Sequence, residues 1–191
     1  MSLRLLTIMG VAIAAAGVAQ AQIVRDGTIG PGSGVQPVGP NYLIPESMGQ
    51  GVGPNLFHSF EDFNLAPAES ALFTAVNPYD NLIARVTGGD PSFLDGTLAS
   101  TIPGADFYFL NPAGVIAGPN FVLDVPASFY LSTADRLDLG DGLGSFDVSN
   151  PSATINPIPR TAPTPTAGTS SIASPTSSVS WRLRRRHRGA G

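Results

Sequence analysis

The sequence DFYFLNPAGVIAGPN, residues 106–120, alternates short apolar runs with turn residues. Its first run is apolar at consecutive positions, whereas a strand with one solvated face would alternate apolar and polar residues. Asn, Pro and Gly then stand where a type I turn prefers them, and we interpret this block as a structural turn motif (Asn111, Pro112, Ala113, Gly114, Val115). Turns this closely spaced are unusual in sandwiches and barrels. They favour a coiled solenoid, in which each strand stacks on the equivalent strand of the next turn.

The same alternation extends outward from this stretch, from Ile23 to about Asn150. The runs are four to six residues long and rich in Phe, Tyr, Val, Ile and Leu, which favours strands over helices. The 22 Gly and 18 Pro among 191 residues also argue against long helices. We therefore predict an all-β chain. No exact internal period is visible, so a sandwich or barrel stays open as an alternative on pattern alone.

Composition separates a second segment from the first. Residues 1–150 contain all 14 acidic residues and four arginines, whereas residues 151–191 contain six arginines and no acidic residue. The second segment is rich in Ser, Thr and Pro, cannot bury enough apolar surface to fold, and is expected to be a disordered tail. We interpret its arginine cluster as a solvated tail and expect no nucleic-acid partner.

The first 21 residues have the pattern of a secretory signal peptide. Arg4 supplies the positive charge, Leu5 to Val18 is an uncharged apolar run, and Ala19-Gln20-Ala21 is a small-x-small cleavage site. The apolar run is shorter than the roughly 20 residues that span a bilayer. We expect cleavage near Ala21 and no membrane span in the mature chain. The absence of cysteine excludes a disulfide framework, a thiol nucleophile and a cysteine zinc site.

Two stretches resemble a known family. GPNLFHSFEDF, residues 53–63, resembles the NLFHSF signature of filamentous-haemagglutinin-type exoproteins, and LNPAGVIAGPN, residues 110–120, resembles their NP-x-G-[IV] motif. ARVTGG at residues 84–89, DG at 95–96 and LSTAD at 131–135 resemble blocks that come in the same order. DGT at residues 26–28 also fits. The likeness covers roughly residues 23–148.

In that family this region is the N-terminal two-partner-secretion (haemagglutination-activity) domain. The resemblance implies a right-handed parallel β-helix with an N-terminal cap over residues 22–150. It also implies a partner, an outer-membrane barrel transporter with periplasmic docking domains, through which the chain passes unfolded. We expect a secreted or cell-surface monomer, exported via the periplasm, with no cofactor, no metal and no enzymatic activity.

Docking to the transporter is expected to use an extended segment that adds to a sheet edge. The candidate recognition residues are those of the first motif (Asn55, Leu56, Phe57, His58, Ser59, Phe60, Phe63). Their aromatic side chains are equally well explained as core residues of the first coils, and both interpretations hold if docking precedes folding. His58 has no second ligand or base nearby in sequence, so we expect a hydrogen-bonded or surface histidine rather than a catalytic one.

Family members usually continue through further coils into a long passenger, whereas here the Pro/Ser/Thr-rich tail follows almost at once. We therefore expect a truncated member, incomplete at its C-terminal end, with a tail translated in a shifted frame. Two other functions stay open. One is an adhesin that binds glycans or cells directly. The other is a β-helical enzyme that cleaves polysaccharides, for which no constellation of carboxylates is recognisable.

Overall fold

The computed structural model describes residues 22–30, 36–138, 145–148 and 164–166, and these are all-β apart from one short 3-10 helix. The helix, η1, spans Glu46–Met48. The strands are short, and in chain order they are β1 (Ile23–Arg25), β2 (Asn41–Pro45), β3 (Gln50–Val52), β4 (Asn55–Phe63), β5 (Ser70–Thr74), β6 (Asn81–Val86), β7 (Ser92–Leu94), β8 (Thr97–Ser100), β9 (Asp106–Leu110), β10 (Val115–Ala117), β11 (Val122–Asp124), β12 (Phe129–Ser132), β13 (Arg136–Asp138), β14 (Ser145–Asp147) and β15 (Thr164–Thr166). In this part of the chain no helix has the length and apolar character needed to cross a membrane.

Successive strands wind around three parallel sheets. Sheet A stacks β4, β6, β9 and β12, and sheet B stacks β2, β5, β8 and β11. Sheet C pairs β7 with β10, and a parallel bridge from Leu65 to Leu94 extends it toward the first coil. One coil of the chain therefore contributes one strand to each sheet in turn. This confirms the predicted parallel β-solenoid and excludes the sandwich.

The coils differ in length. In sheet A, Asn55 pairs with Asn81, and Asn81 pairs with Asp106. The next step, from Phe107 to Phe129, is shorter along the chain than either of these. Because the strands stay in register while the corners change length, the structural repeat leaves no fixed period in the sequence.

The N-terminal end of sheet A is covered by antiparallel strands, and we call β1, η1 and β3 the cap. β1 pairs with the second half of β4. β3 pairs with the first half, from Asn55 to Phe57. The outer edge of β4 is thereby occupied along most of its length, which confirms the predicted N-terminal cap.

The solenoid interior is apolar and rich in phenylalanine. Rings from successive coils pack edge-on against one another, with centroids 5.0 Å apart for Phe73 and Phe107 and 5.4 Å apart for Phe107 and Phe129. Such edge-to-face contacts between aromatic rings stabilise a core beyond the area they bury. The buried phenylalanines of the interior are Phe60, Phe63, Phe73, Phe107, Phe109 and Phe129.

A second apolar cluster lies on the outer side of sheet A. β13 and β14 form an antiparallel pair whose Leu137 and Phe146 are buried with four residues of sheet A, Phe57, Ile83, Tyr108 and Leu110. We call this cluster, together with the buried polar residues Ser59 and Arg85 beside it, the outer layer. It gives sheet A two buried faces, which explains why β6 and β9 are apolar at consecutive positions.

β15 also pairs with β13. Its residues, Thr164–Thr166, belong to the segment that we expected to form the tail. The rest of that segment and the predicted signal peptide, residues 1–21, lie outside the described residues.

Candidate functional site

β4 carries the candidate recognition motif, and its side chains point alternately to the two sides of sheet A. Leu56 and Phe60 pack in the solenoid interior, whereas Phe57 packs in the outer layer. Phe63 at the end of the strand also lies in the interior, 1% exposed. All residues from Asn55 to Phe60 are buried. The alternation follows from the two-residue period of a strand, and it buries side chains on both sides of the sheet.

Both edges of β4 are used. β1 and β3 pair with one edge. β6 pairs with the other, in a parallel register that joins Asn55 to Asn81 and Phe60 to Val86. The folded domain therefore buries the side chains of Asn55–Phe60, and pairing occupies the backbone of this segment along one whole edge and most of the other.

His58 is buried, with 1% of its surface exposed. Its Nε2 has no hydrogen-bond partner among the described residues, so the expectation of a hydrogen-bonded or surface histidine was wrong. Its ring instead packs edge-on against Phe73, with centroids 5.3 Å apart. Burial, together with the nearby charge of Arg25, lowers the pKa of His58 to about 3, so the imidazole is neutral at physiological pH.

The turn motif closes the third strand of sheet A. The Gly114 amide donates to the Asn111 carbonyl over 3.0 Å, and the Ala113 amide donates to Asn111 Oδ1 over 3.0 Å. Asn111 Nδ2 in turn donates to the Asp90 carbonyl at 3.0 Å and to Ser92 Oγ at 2.9 Å. The buried side chain of Asn111 thus forms a hydrogen bond within its own turn and also connects that turn to the preceding coil.

Sequence reasoning missed a buried polar cluster in the outer layer, centred on Arg85. This arginine is 1% exposed, and its Nε donates to Ser59 Oγ at 2.7 Å. Its other nitrogens donate to Thr28 Oγ1 at 3.1 Å and to the Asp147 carbonyl. The guanidinium carbon also lies 4.3 Å from the centre of the Phe146 ring.

Asp26 completes the Arg85 cluster. It accepts hydrogen bonds from Ser59 Oγ at 2.5 Å and Thr87 Oγ1 at 2.9 Å, and from the amide and hydroxyl of Thr28. Burial by itself would raise the pKa of Asp26, but these hydrogen bonds outweigh it and lower the pKa. Burial lowers the pKa of Arg85 to about 10, opposed by the charges of Asp26 and Asp147. The carboxylate and the guanidinium therefore both stay charged at neutral pH.

The cluster joins parts of the chain that lie far apart in sequence. Thr28 follows β1, Ser59 belongs to β4, Arg85 to β6 and Asp147 to β14. The signal for it was present only in the family resemblance, where DGT at residues 26–28 and ARVTGG at residues 84–89 occur as separate blocks. Nothing in their spacing indicates that they meet.

The two motifs do not form one site. The recognition motif lies in the first strand of sheet A, whereas the turn motif follows the third. The turn instead borders a cleft of about 150 Å³ beside β14, lined by Val86, Thr87, Gly89, Asn111, Pro112, Ala113, Asp135 and Val148. Among these, Thr87 links the cleft to the Arg85 cluster.

Of three comparisons with known proteins, one gave a match, and that match agrees with this architecture. Neither a search of curated proteins nor a search of solved structures gave a match. A protein-family model, described as the TPS secretion domain, matches residues 21–177, more than four fifths of the chain. The chain therefore belongs to the family of two-partner-secretion domains of filamentous haemagglutinin type.

Proposed function

We propose that this chain is the secretion-directing N-terminal domain of an exoprotein, recognised while unfolded by an outer-membrane barrel transporter with periplasmic docking domains. The observation that carries the proposal is the family match over residues 21–177, found on a solenoid in which the motif residues Asn55–Phe60 are buried. The role is one of export and not of catalysis. In this proposal the signal peptide is cleaved near Ala21, and the mature monomer reaches the medium or the cell surface via the periplasm.

The burial of β4 supports recognition before folding. A docking domain that adds a strand needs a free sheet edge and accessible alternate side chains. In the folded domain Asn55–Phe60 is buried, β6 pairs with its whole length, and the cap pairs with Asn55–Phe57 and with Phe60. The motif is therefore available only until the cap and β6 have paired with it. Folding outside the cell would then hide the docking element and make export one-way.

The remainder of the chain is compatible with passage through the transporter in an extended, unfolded form. With no cysteine in the sequence, no periplasmic disulfide can close a loop that would block a narrow pore. The solenoid itself is built from short strands, each of which pairs with a neighbour one coil away. Such a structure can assemble progressively as the chain emerges.

A paired substitution tests the recognition role. Phe60 in the motif and Phe107 outside it are both fully buried in the interior. Replacing either by Ala removes similar apolar contacts, with a comparable folding cost of about 3–5 kcal/mol. When the full chain is co-expressed with its partner transporter, we expect Phe60→Ala to reduce the amount secreted about tenfold more than Phe107→Ala, a difference of about 1.4 kcal/mol in docking.

Binding assays complete the test. We expect a peptide of residues 53–63 to bind the purified docking domains, and the folded chain and a scrambled peptide not to bind. Equal secretion of the two variants would contradict recognition through the motif. Equal binding of the folded chain and the peptide would contradict recognition before folding.

A further inference from the structure

His58 occupies a column of inward-facing residues that is otherwise apolar. It pairs in register with Ala84 of β6, which pairs with Phe109 of β9, which pairs with Leu131 of β12. An apolar residue at position 58 would fill the same space without a polar atom. The buried Nε2 without a hydrogen bond instead costs free energy, of the order of 1–3 kcal/mol.

The cap closes the space around the imidazole. A Cβ atom added to Gly49, between η1 and β3, would lie 2.9 Å from His58 Nε2 and closer still to the Phe57 carbonyl oxygen. The cap backbone therefore lies directly against the ring, and Gly is the residue that permits this approach.

Among the described residues, the groups identified around His58 are apolar or positively charged. β5 contributes the Phe73 ring and β6 contributes Ala84. The link between η1 and β3 contributes Gly49. β1 contributes Arg25, itself 4% exposed, whose charge acts on His58 in the sense that opposes a second cation. Protonated imidazole would thus be a buried cation beside another cation.

We propose that His58 is a pH-sensitive switch, which keeps the cap and the first coil closed at neutral pH and opens them on acidification. Protonation requires water to reach the imidazole, and the elements that must move to admit it are β1 and the η1–β3 segment, since these hold Arg25 and Gly49. The later coils contain no described histidine. The switch therefore acts at the N-terminal end of the solenoid.

The direction and size of the effect follow from linkage. Burial lowers the pKa of His58 to about 3 in the folded chain, against about 6.5 in the unfolded chain. The stability that the neutral form provides is complete above pH 6.5 and falls as the pH drops from there toward 3. Between pH 7 and pH 5 the folding equilibrium constant is expected to fall about 25-fold from this group alone. Asp26, whose pKa lies below its usual 3.8, contributes only in more acidic solution.

The test compares the wild-type full mature chain with His58→Leu and with a control, His187→Leu, which replaces the other of the two histidines in the sequence. Denaturant unfolding at pH 7 and pH 5 is expected to show the fall in the folding equilibrium constant in the wild type and in His187→Leu. Little change is expected in His58→Leu. Hydrogen exchange at pH 5 is expected to quicken first in β1 and β3. An equal pH dependence of the wild type and His58→Leu, or uniform exchange over all coils, would overturn the proposal.

A direct titration keeps the proposal testable should His58→Leu fail to fold. The NMR signals of His58 in the folded wild type are expected to show a neutral ring down to about pH 4. Cap opening is expected at a higher pH than protonation of His58 in the folded state. His58→Gln, which keeps a polar group without the titration, is expected to remove the pH dependence. A folded-state titration of His58 near pH 6.5 would refute the switch.

Discussion

The solenoid interior and the outer layer are built from different kinds of contact. In the interior, aromatic rings meet neighbours in adjacent strands, as Phe107 meets Phe129 of the next coil with ring centroids 5.4 Å apart. In the outer layer, one buried cation joins distant segments, and Arg85 of β6 reaches the Asp147 carbonyl in β14. The interior is built from apolar contacts between nearby coils, whereas the outer layer forms once.

This difference implies an order of assembly. Interior contacts join nearby coils, as Phe107 with Phe129 and Phe63 with Phe109, so their loop-closure cost is met in small steps. The outer layer needs residues 26–28 at one end and β14 at the other, because Arg85 binds both Thr28 and Asp147. We infer that the solenoid can wind progressively and that the outer layer closes after β14 has formed.

The largest expected effect is in the interior. Phe73 is fully buried, and its ring packs against those of His58, Phe60, Phe63 and Phe107. Phe73→Ala is expected to lower the free energy of unfolding by about 4 kcal/mol, because it leaves a cavity between the first coils. Denaturant unfolding of the full chain measures the loss.

Phe93 provides the matched control, since it is 43% exposed on the outer side of sheet C. Phe93→Ala is expected to cost less than about 1 kcal/mol. Similar losses for both variants would contradict an interior that dominates stability.

The next largest effect tests the outer layer. Arg85→Ala removes the donor to Ser59, Thr28 and Asp147 and leaves Asp26 without its nearby cation. We expect a loss of about 3 kcal/mol, typical of breaking a buried charged network. Hydrogen exchange should quicken in β13 and β14 more than in β9, since the interior contacts remain.

Arg136 is the control for charge, because it is an exposed arginine on β13. Arg136→Ala is expected to change the free energy of unfolding by no more than about 0.5 kcal/mol. If Arg85→Ala accelerated exchange equally in all sheets, the two regions would form one cooperative unit and the proposed order of assembly would fail.

The fold class could be predicted from sequence because its signals are local. The apolar run in β9 and the turn after it are both visible within residues 106–120. The period could not be predicted, since register depends on strand pairing and the corners absorb the difference between a longer coil, from Asn55 to Asn81, and a shorter one, from Phe107 to Phe129. A search for a fixed sequence repeat therefore fails, because the strand positions repeat from coil to coil while the number of residues per coil does not.

The outer layer could be predicted only in part, because its contacts are long-range. Consecutive apolar residues in β9 argued against one solvated face, but nothing local identified β14 as the covering element. Ser59 was singled out as part of a recognition motif, and the structure shows it between Arg85 and Asp26. His58 was misjudged for the same reason: burial depends on the cap and β5, which the residues around it do not reveal.

The smallest effect concerns the point where the two regions meet. Asn111 is 1% exposed, and its side chain bonds the Ala113 amide, the Asp90 carbonyl and Ser92 Oγ. Asn111→Ala is expected to cost about 2 kcal/mol, because Ser92 Oγ is left buried with one partner fewer.

Asn77 is the matched control for Asn111, an exposed asparagine whose amide donates to Glu46 Oε1 at 2.9 Å. Asn77→Ala is expected to cost less than about 0.5 kcal/mol. Since Asn111 lines the cleft beside Val148 and also fastens β9 to the preceding coil, its loss should quicken exchange on both sides of sheet A. Faster exchange in β14 alone would make the turn part of the outer layer, and faster exchange in β7 and β10 alone would make it part of the solenoid.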